Sequence, residues 1–239
     1  MFRNDYVMRL IEQFGSALGV LLGLKKQLKP QEAMELLGET YKRLFGLNPN
    51  LIRALSERDM TDLLNRDGEA TAEKMLILAG LMKEEADLCA MLERENEAYR
   101  LNLKALNLTL LAAGEQSATE WLDIRGQVGE LLNRLGGYEL PVGTKELLWT
   151  YYDTAGRFAD AEDVLFELLD HYGDDKAEDQ SAYGRLLEQA ERFYERLLTL
   201  DADTLEAGRL PLEEVRDSLE EIRTRASELN AEAAQPGAD

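Results

Sequence analysis

Three pairs of carboxylates stand at the i, i+3 spacing that puts both members on one face of a helix: Glu32 and Glu35, Glu84 and Asp87, Glu214 and Asp217. Carboxylate oxygens are the ligands Mg²⁺ prefers, and all-helical nucleoside-triphosphate pyrophosphatases use clusters of this kind. With 47 acidic residues in the chain, such pairs also arise by chance. A metal-dependent hydrolase therefore requires the pairs to converge on one pocket. Other chemistry has fewer candidates. The single histidine, His171, excludes a helical di-iron centre with two Glu-x-x-His motifs and a zinc site of the usual Cys/His kind. Placed beside "YGDD" at a predicted helix end, it reads as a residue favoured by the helix C-terminus. The single cysteine, Cys89, lies among apolar residues at helical spacing and reads as a small buried hydrophobe. The glycines of "GSALGVLLG" follow no strand, so they form no phosphate-binding loop. No catalytic residue, metal or cofactor is singled out.

The elements that must position any site are helices. Leu, Ala, Glu and Arg dominate, β-branched residues are sparse, and no segment alternates apolar with polar residues, so no sheet is expected. A hydrophobic fraction of 45% supports a real core. The net charge of −20 is unevenly spread: residues 1–50 carry a net +2 and residues 153–239 a net −15. Nucleic acid and anionic bilayers would be repelled by such a surface. One cysteine allows no intrachain disulfide, which suits a reducing cytoplasm.

Along the chain, Val7, Leu10, Phe14, Ala17, Leu21, Leu24 and Leu28 form an apolar stripe, predicting a helix over about 5–28. Its stretch "FGSALGVLLGLKK" is uninterruptedly apolar or small only over 14–24, short of the ~20 residues that span a bilayer, and lacks the layout of a secretion signal. Gly15, Gly19 and Gly23 recur every four residues, predicting a strip against which another helix lies, of the same chain or of a second copy. Pro30 opens a second helix ending at Gly46; "NPN" and Ser56 open two short ones. Helices are expected over about 71–92 and 96–113, from a capping box at Ser117–Glu120 to Leu135, and over 144–155, 159–172, 180–199 and 212–230, with "NRDGEA", "GGYELPVG" and "GDDKAEDQ" as breaks and 231–239 as a tail.

In "LWTYYDTAGRFADAEDVLFELL", Gly156 is followed by Phe158, Ala161, Leu165 and Leu168. This resembles the turn of the tetratricopeptide repeat, a helix hairpin of about 34 residues in which glycine makes the turn, an aromatic plugs the hairpin and alanine lets the helices approach. Ala86, Ala98 and Ala105 repeat the small positions around Glu93 and Glu95, and Ala33 repeats one after Pro30. The resemblance implies an all-α fold of tetratricopeptide-like hairpins stacked in a right-handed superhelix, over a single domain 1–230 with a possible division at 173/174. A generic antiparallel bundle is the alternative. The stretches "NDYVMRLIEQ", "LKKQLKPQEAMELL", "LMKEEADL" and "LEAGRLPLEEV" further resemble an uncharacterised bacterial family of such proteins over residues 1 to about 230.

Carried over from peptide-binding repeats, the resemblance places Lys25, Lys26, Lys83, Asp87, Thr150 and Asp153 on a concave groove, whose lysines would suit an acidic peptide. The expected function is a non-catalytic scaffold for a protein or peptide. Two alternatives stand beside it: a Mg²⁺-dependent nucleotide hydrolase, and a homodimer formed through the N-terminal helix.

Overall fold

The computed structural model describes residues 2–66, 71–115, 123–174 and 180–233. Among these are twelve α-helices and no strand. The capping box at Ser117–Glu120, most of "NRDGEA" and "GDDKAEDQ", and the end of the C-terminal tail lie outside the described residues. The chain divides into two compact units, 1–140 and 141–239. The boundary between them falls inside "GGYELPVG".

The first unit comprises α1 (Phe2–Lys26), α2 (Pro30–Phe45), α3 (Pro49–Ala54), α4 (Glu57–Leu64), α5 (Thr71–Met91), α6 (Glu95–Ala113) and α7 (Ile124–Leu135). Local chemistry starts and stops them. Pro30 stands in the first turn of α2, and Gly46 ends it at φ +65°. The side chains of Asn48 and Ser56 accept hydrogen bonds from the backbone N–H groups of Asn50 and Asp59. At the centre is α5, buried along most of its length and packed against α1, α2, α4 and, most extensively, α6. In the second unit, α8 (Val142–Thr154) and α9 (Phe158–Asp174) form a hairpin, and α10 (Gln180–Leu197) packs on α9 and on α12 (Leu212–Ala233). The short α11 (Ala202–Ala207), capped by the Asp201 side chain, was not anticipated, and α12 continues into the stretch expected to be tail.

One turn geometry recurs four times. Leu28, Glu93, Gly156 and Arg209 all adopt positive φ, between 57° and 69°. The next residue's N–H reaches back five positions: Lys29 to Leu24 O, Arg94 to Cys89 O, Arg157 to Tyr152 O and Leu210 to Leu205 O, at 2.9–3.0 Å. These are Schellman caps, which satisfy the carbonyls a helix end leaves open. Ala33, Ala98 and Ala161, each five residues beyond the left-handed residue, are buried. The same capped turn is thus present in the backbone at Leu28, Glu93 and Arg209, where no glycine supplies it.

Two of these turns meet. Phe158 is buried against Gly208, the Ala159 N–H donates to Gly208 O at 3.0 Å, and Asp160 accepts from both Arg157 and Arg209. A methyl group on Gly208 would run into the Phe158 ring and lie 2.9 Å from Gly156 O. Gly208→Ala is therefore expected to destabilise the second unit by about 2 kcal/mol through overpacking. Glu93→Gly removes a left-handed side chain and should stabilise the first unit by about 1 kcal/mol. Urea denaturation measures both, and unchanged midpoints in the two variants would contradict this geometry.

Candidate functional site

The run Lys83–Asp87 lies on α5, whose apolar neighbours Leu78, Leu81, Met82, Ala86, Leu88 and Cys89 are fully buried. Carboxylates there must find donors, because an unpaired buried charge costs several kcal/mol. They find them on the neighbouring helices. Lys25 of α1 donates to Glu84 Oε2 at 2.7 Å and to Asp87 Oδ2 at 2.5 Å. Arg134 of α7 pairs with Asp87, and also with Glu130 Oε1 at 2.7 Å. Lys83 donates to Glu130 Oε2 at 2.7 Å. Three cations thereby meet three carboxylates across α1, α5 and α7.

Glu85, 1% exposed, is claimed from the other side. The Tyr41 hydroxyl of α2 donates to its Oε2 at 2.8 Å, and Arg53 Nε of α3 to its Oε1 at 2.6 Å. Burial, reinforced by Glu85, pushes the Tyr41 phenol well above its ordinary range. Burial likewise raises the Cys89 thiol to about 11, so it is protonated at neutral pH. The second unit repeats the motif: Tyr194 OH donates to buried Glu162 Oε1 at 2.7 Å.

Beside the α1–α5–α7 cluster runs a groove of about 440 Å³. Phe14, Leu18, Leu76 and Gly80 supply its apolar lining, and Lys83, Glu84, Asp123 and Glu130 its charged groups. A side chain on Gly80 would press on the Phe14 ring, its Cβ 2.8 Å from Cζ. The glycine that brings α1 close to its neighbour is thus Gly80 of α5.

The sequence-derived candidates divide between the units. Lys25, Lys83 and Asp87 come together as described, while Lys26 is exposed and outside the cluster. Thr150 turns its hydroxyl to Glu146 O of its own helix, and Asp153 pairs with Arg196. A positive groove is not what forms: Lys25 and Lys83 are neutralised by carboxylates. Gly15, Gly19 and Gly23 have no atom within 4 Å of where a Cβ would stand, so no helix among the described residues lies against them. That expectation fails because the inner face of α1 is the one bearing Val7, Leu10, Ala17 and Leu21, all buried. The carboxylate pairs form no metal-holding group among the described residues. Glu32, Glu35, Glu214 and Asp217 are exposed in different units, Glu84 and Asp87 are bound to Lys25, and among the described residues no three His, Cys, Asp or Glu side chains gather to hold a metal. Glu85, Arg53, Glu130 and Arg134 escaped notice. Glu85 had a readable signal, standing in an apolar helical row with Leu78, Leu81, Leu88 and Cys89 where a carboxylate demands a partner.

These features define an all-helical protein built on capped hairpins, with an ion-pair cluster beside a groove in its first unit. A family model described as a family of unknown function (DUF6483) matches residues 1–227, and the chain belongs to that family. No curated protein and no solved structure matches it.

Burial alone would raise the Asp87 and Glu130 carboxyls, but hydrogen bonds from Arg134, Lys25 and Lys83 outweigh it and hold both below their ordinary values of 3.8 and 4.5. Their contribution is complete at neutral pH and is lost as pH falls through the lowered folded values. Asp87→Asn should cost about 1–2 kcal/mol at pH 7 and flatten the acid limb of the stability curve. Glu162 has the opposite sign: burial raises its carboxyl despite the Tyr194 hydrogen bond, so its contribution declines as pH rises above the ordinary 4.5 towards the raised value. Glu162→Gln should therefore stabilise the second unit at pH 8 relative to its effect at pH 4. Thermal denaturation across pH tests both, and identical pH profiles in wild type and variants would refute them.

Proposed function

We propose that the chain is a non-catalytic, cytoplasmic scaffold of tetratricopeptide-like hairpins, and that its first unit holds a protein or peptide segment in the groove between α1, α5 and α7. The observation that carries this reading is the groove itself, with Phe14, Leu18 and Leu76 along an apolar lining and charged groups beside them. A preformed cleft of this make-up favours binding, because neither partner must first order the site.

The charges argue for the ligand's chemistry. Lys83 and Lys25 are already engaged by Glu130, Glu84 and Asp87, which leaves no lysine in the cluster to recruit an acidic peptide. Among the lining residues one cation faces three carboxylates. A segment with one large apolar side chain flanked by Lys or Arg suits that lining and a chain of net charge −20.

Selection from a random peptide library on the immobilised protein tests the reading. Peptides with an apolar residue beside basic ones should be enriched, and Leu18→Arg, which places a cation in the groove, should weaken them by about tenfold or more. Enrichment of acidic peptides, affinity indifferent to Leu18→Arg, or Mg²⁺-dependent nucleotide hydrolysis by the purified chain without peptide binding would each overturn it.

A further inference from the structure

A second cavity, of about 210 Å³, lies in the first unit between α6 and the junction of α3 with α4. It shares no residue with the groove between α1, α5 and α7. Leu101 and Leu103 give it an apolar wall, and Arg53, Arg100 and Lys104 bring three cations to it in a chain of net charge −20. Arg53 is held by Glu85. The other two cations lack a counter-charge.

Lys104 Nζ donates to Arg53 O and Leu55 O, both at 2.6 Å, and so satisfies carbonyls at the C-terminal end of α3. An ammonium carries three N–H donors, so one is left over. No carboxylate among the described residues comes within ion-pair distance of it, and burial lowers the ammonium from its ordinary 10.5 despite the pull of Glu57. Arg100 stands one helical turn earlier on α6, exposed, with no hydrogen bond or ion pair among the described residues. Residues four apart on a helix are neighbours, about 5–6 Å between Cβ atoms, so one carboxylate can bridge both.

The carboxylates on the lining are drawn elsewhere. Glu57 Oε1 accepts from Asn107 Nδ2 at 3.2 Å, and Glu97 pairs with Arg94 at 4.0 Å. They leave the two cations unneutralised but repel a second negative charge, which favours a monoanion over a phosphate dianion. The cavity holds about seven times the ~30 Å³ share of one water, which limits the ligand to a small molecule.

We infer that this cavity binds a small monocarboxylate with a short apolar tail, its carboxylate held between Arg100 and Lys104 and its tail against Leu101 and Leu103.

Isothermal titration calorimetry of the full chain with straight-chain carboxylates, with circular dichroism as a control for folding, tests this. Hexanoate should bind at a single site, and affinity should rise roughly fourfold per methylene from acetate to hexanoate. Hexylamine and inorganic phosphate should not bind. Arg100→Gln removes a side chain with no partner in the fold, so the variant should stay folded and lose hexanoate affinity by about tenfold or more. Leu18→Arg, which alters the groove alone, should leave hexanoate binding unchanged. Absence of hexanoate binding overturns the inference, as does equal affinity for acetate, hexylamine or phosphate, indifference to Arg100→Gln, or loss of binding in Leu18→Arg. A peptide ending in leucine that binds more tightly than hexanoate overturns it in favour of a chain terminus.

Discussion

A carboxylate on a helix packed on most sides is costly unless it is given a donor, and α5 carries, besides Glu73 near its start, a run of them at sequence positions 84, 85 and 87. Lys25, Tyr41, Arg53 and Arg134 answer them from α1, α2, α3 and α7. The apolar surface of α5 would accept its neighbours in several rotations and offsets, because hydrophobic burial is not directional. The ion pairs permit few. Glu84 and Asp87 fix how far α1 slides, Glu85 fixes α2 and α3 together, and Asp87 adds α7. The apolar contacts hold the first unit together, and the carboxylates decide in what arrangement.

The turns do comparable work with less chemistry. Leu28, Glu93, Gly156 and Arg209 share one backbone conformation, and only one of the four is glycine. The left-handed cost of a side chain, on the order of 1–2 kcal/mol, is offset by two capping hydrogen bonds and by the helix that follows. This explains how much could be read from the sequence. The positions of α2, α5, α6, α8 and α9 followed from apolar spacing, Pro30, Gly46 and the alanines, because those residues act locally. α11 is as short as α3 but lacks the proline that marks the start of α3.

The site was harder to read, for a physical reason. Lys25, Lys83 and Asp87 were picked out and do come together, but their partners Glu130 and Arg134 lie over forty residues away along the chain. A charge considered without its counter-ion invites a ligand; considered with it, it is part of the scaffold. The same holds for the glycines of α1. Their spacing was visible, but whether the facing helix belonged to the same chain depended on which side of α1 the core would take, and Val7, Leu10, Ala17 and Leu21 settled that against Gly15 and Gly19.

The lone thiol has a use that its inertness creates. Cys89 is completely enclosed on α5, the second unit contains no cysteine, and burial keeps the sulfur in its unreactive protonated form. An alkylating reagent can therefore reach the protein's sulfur only while α5 is transiently released by its neighbours. The rate of that reaction in native buffer is a clock for the opening of the first unit alone, one that runs without a label, a denaturant or any contribution from the second.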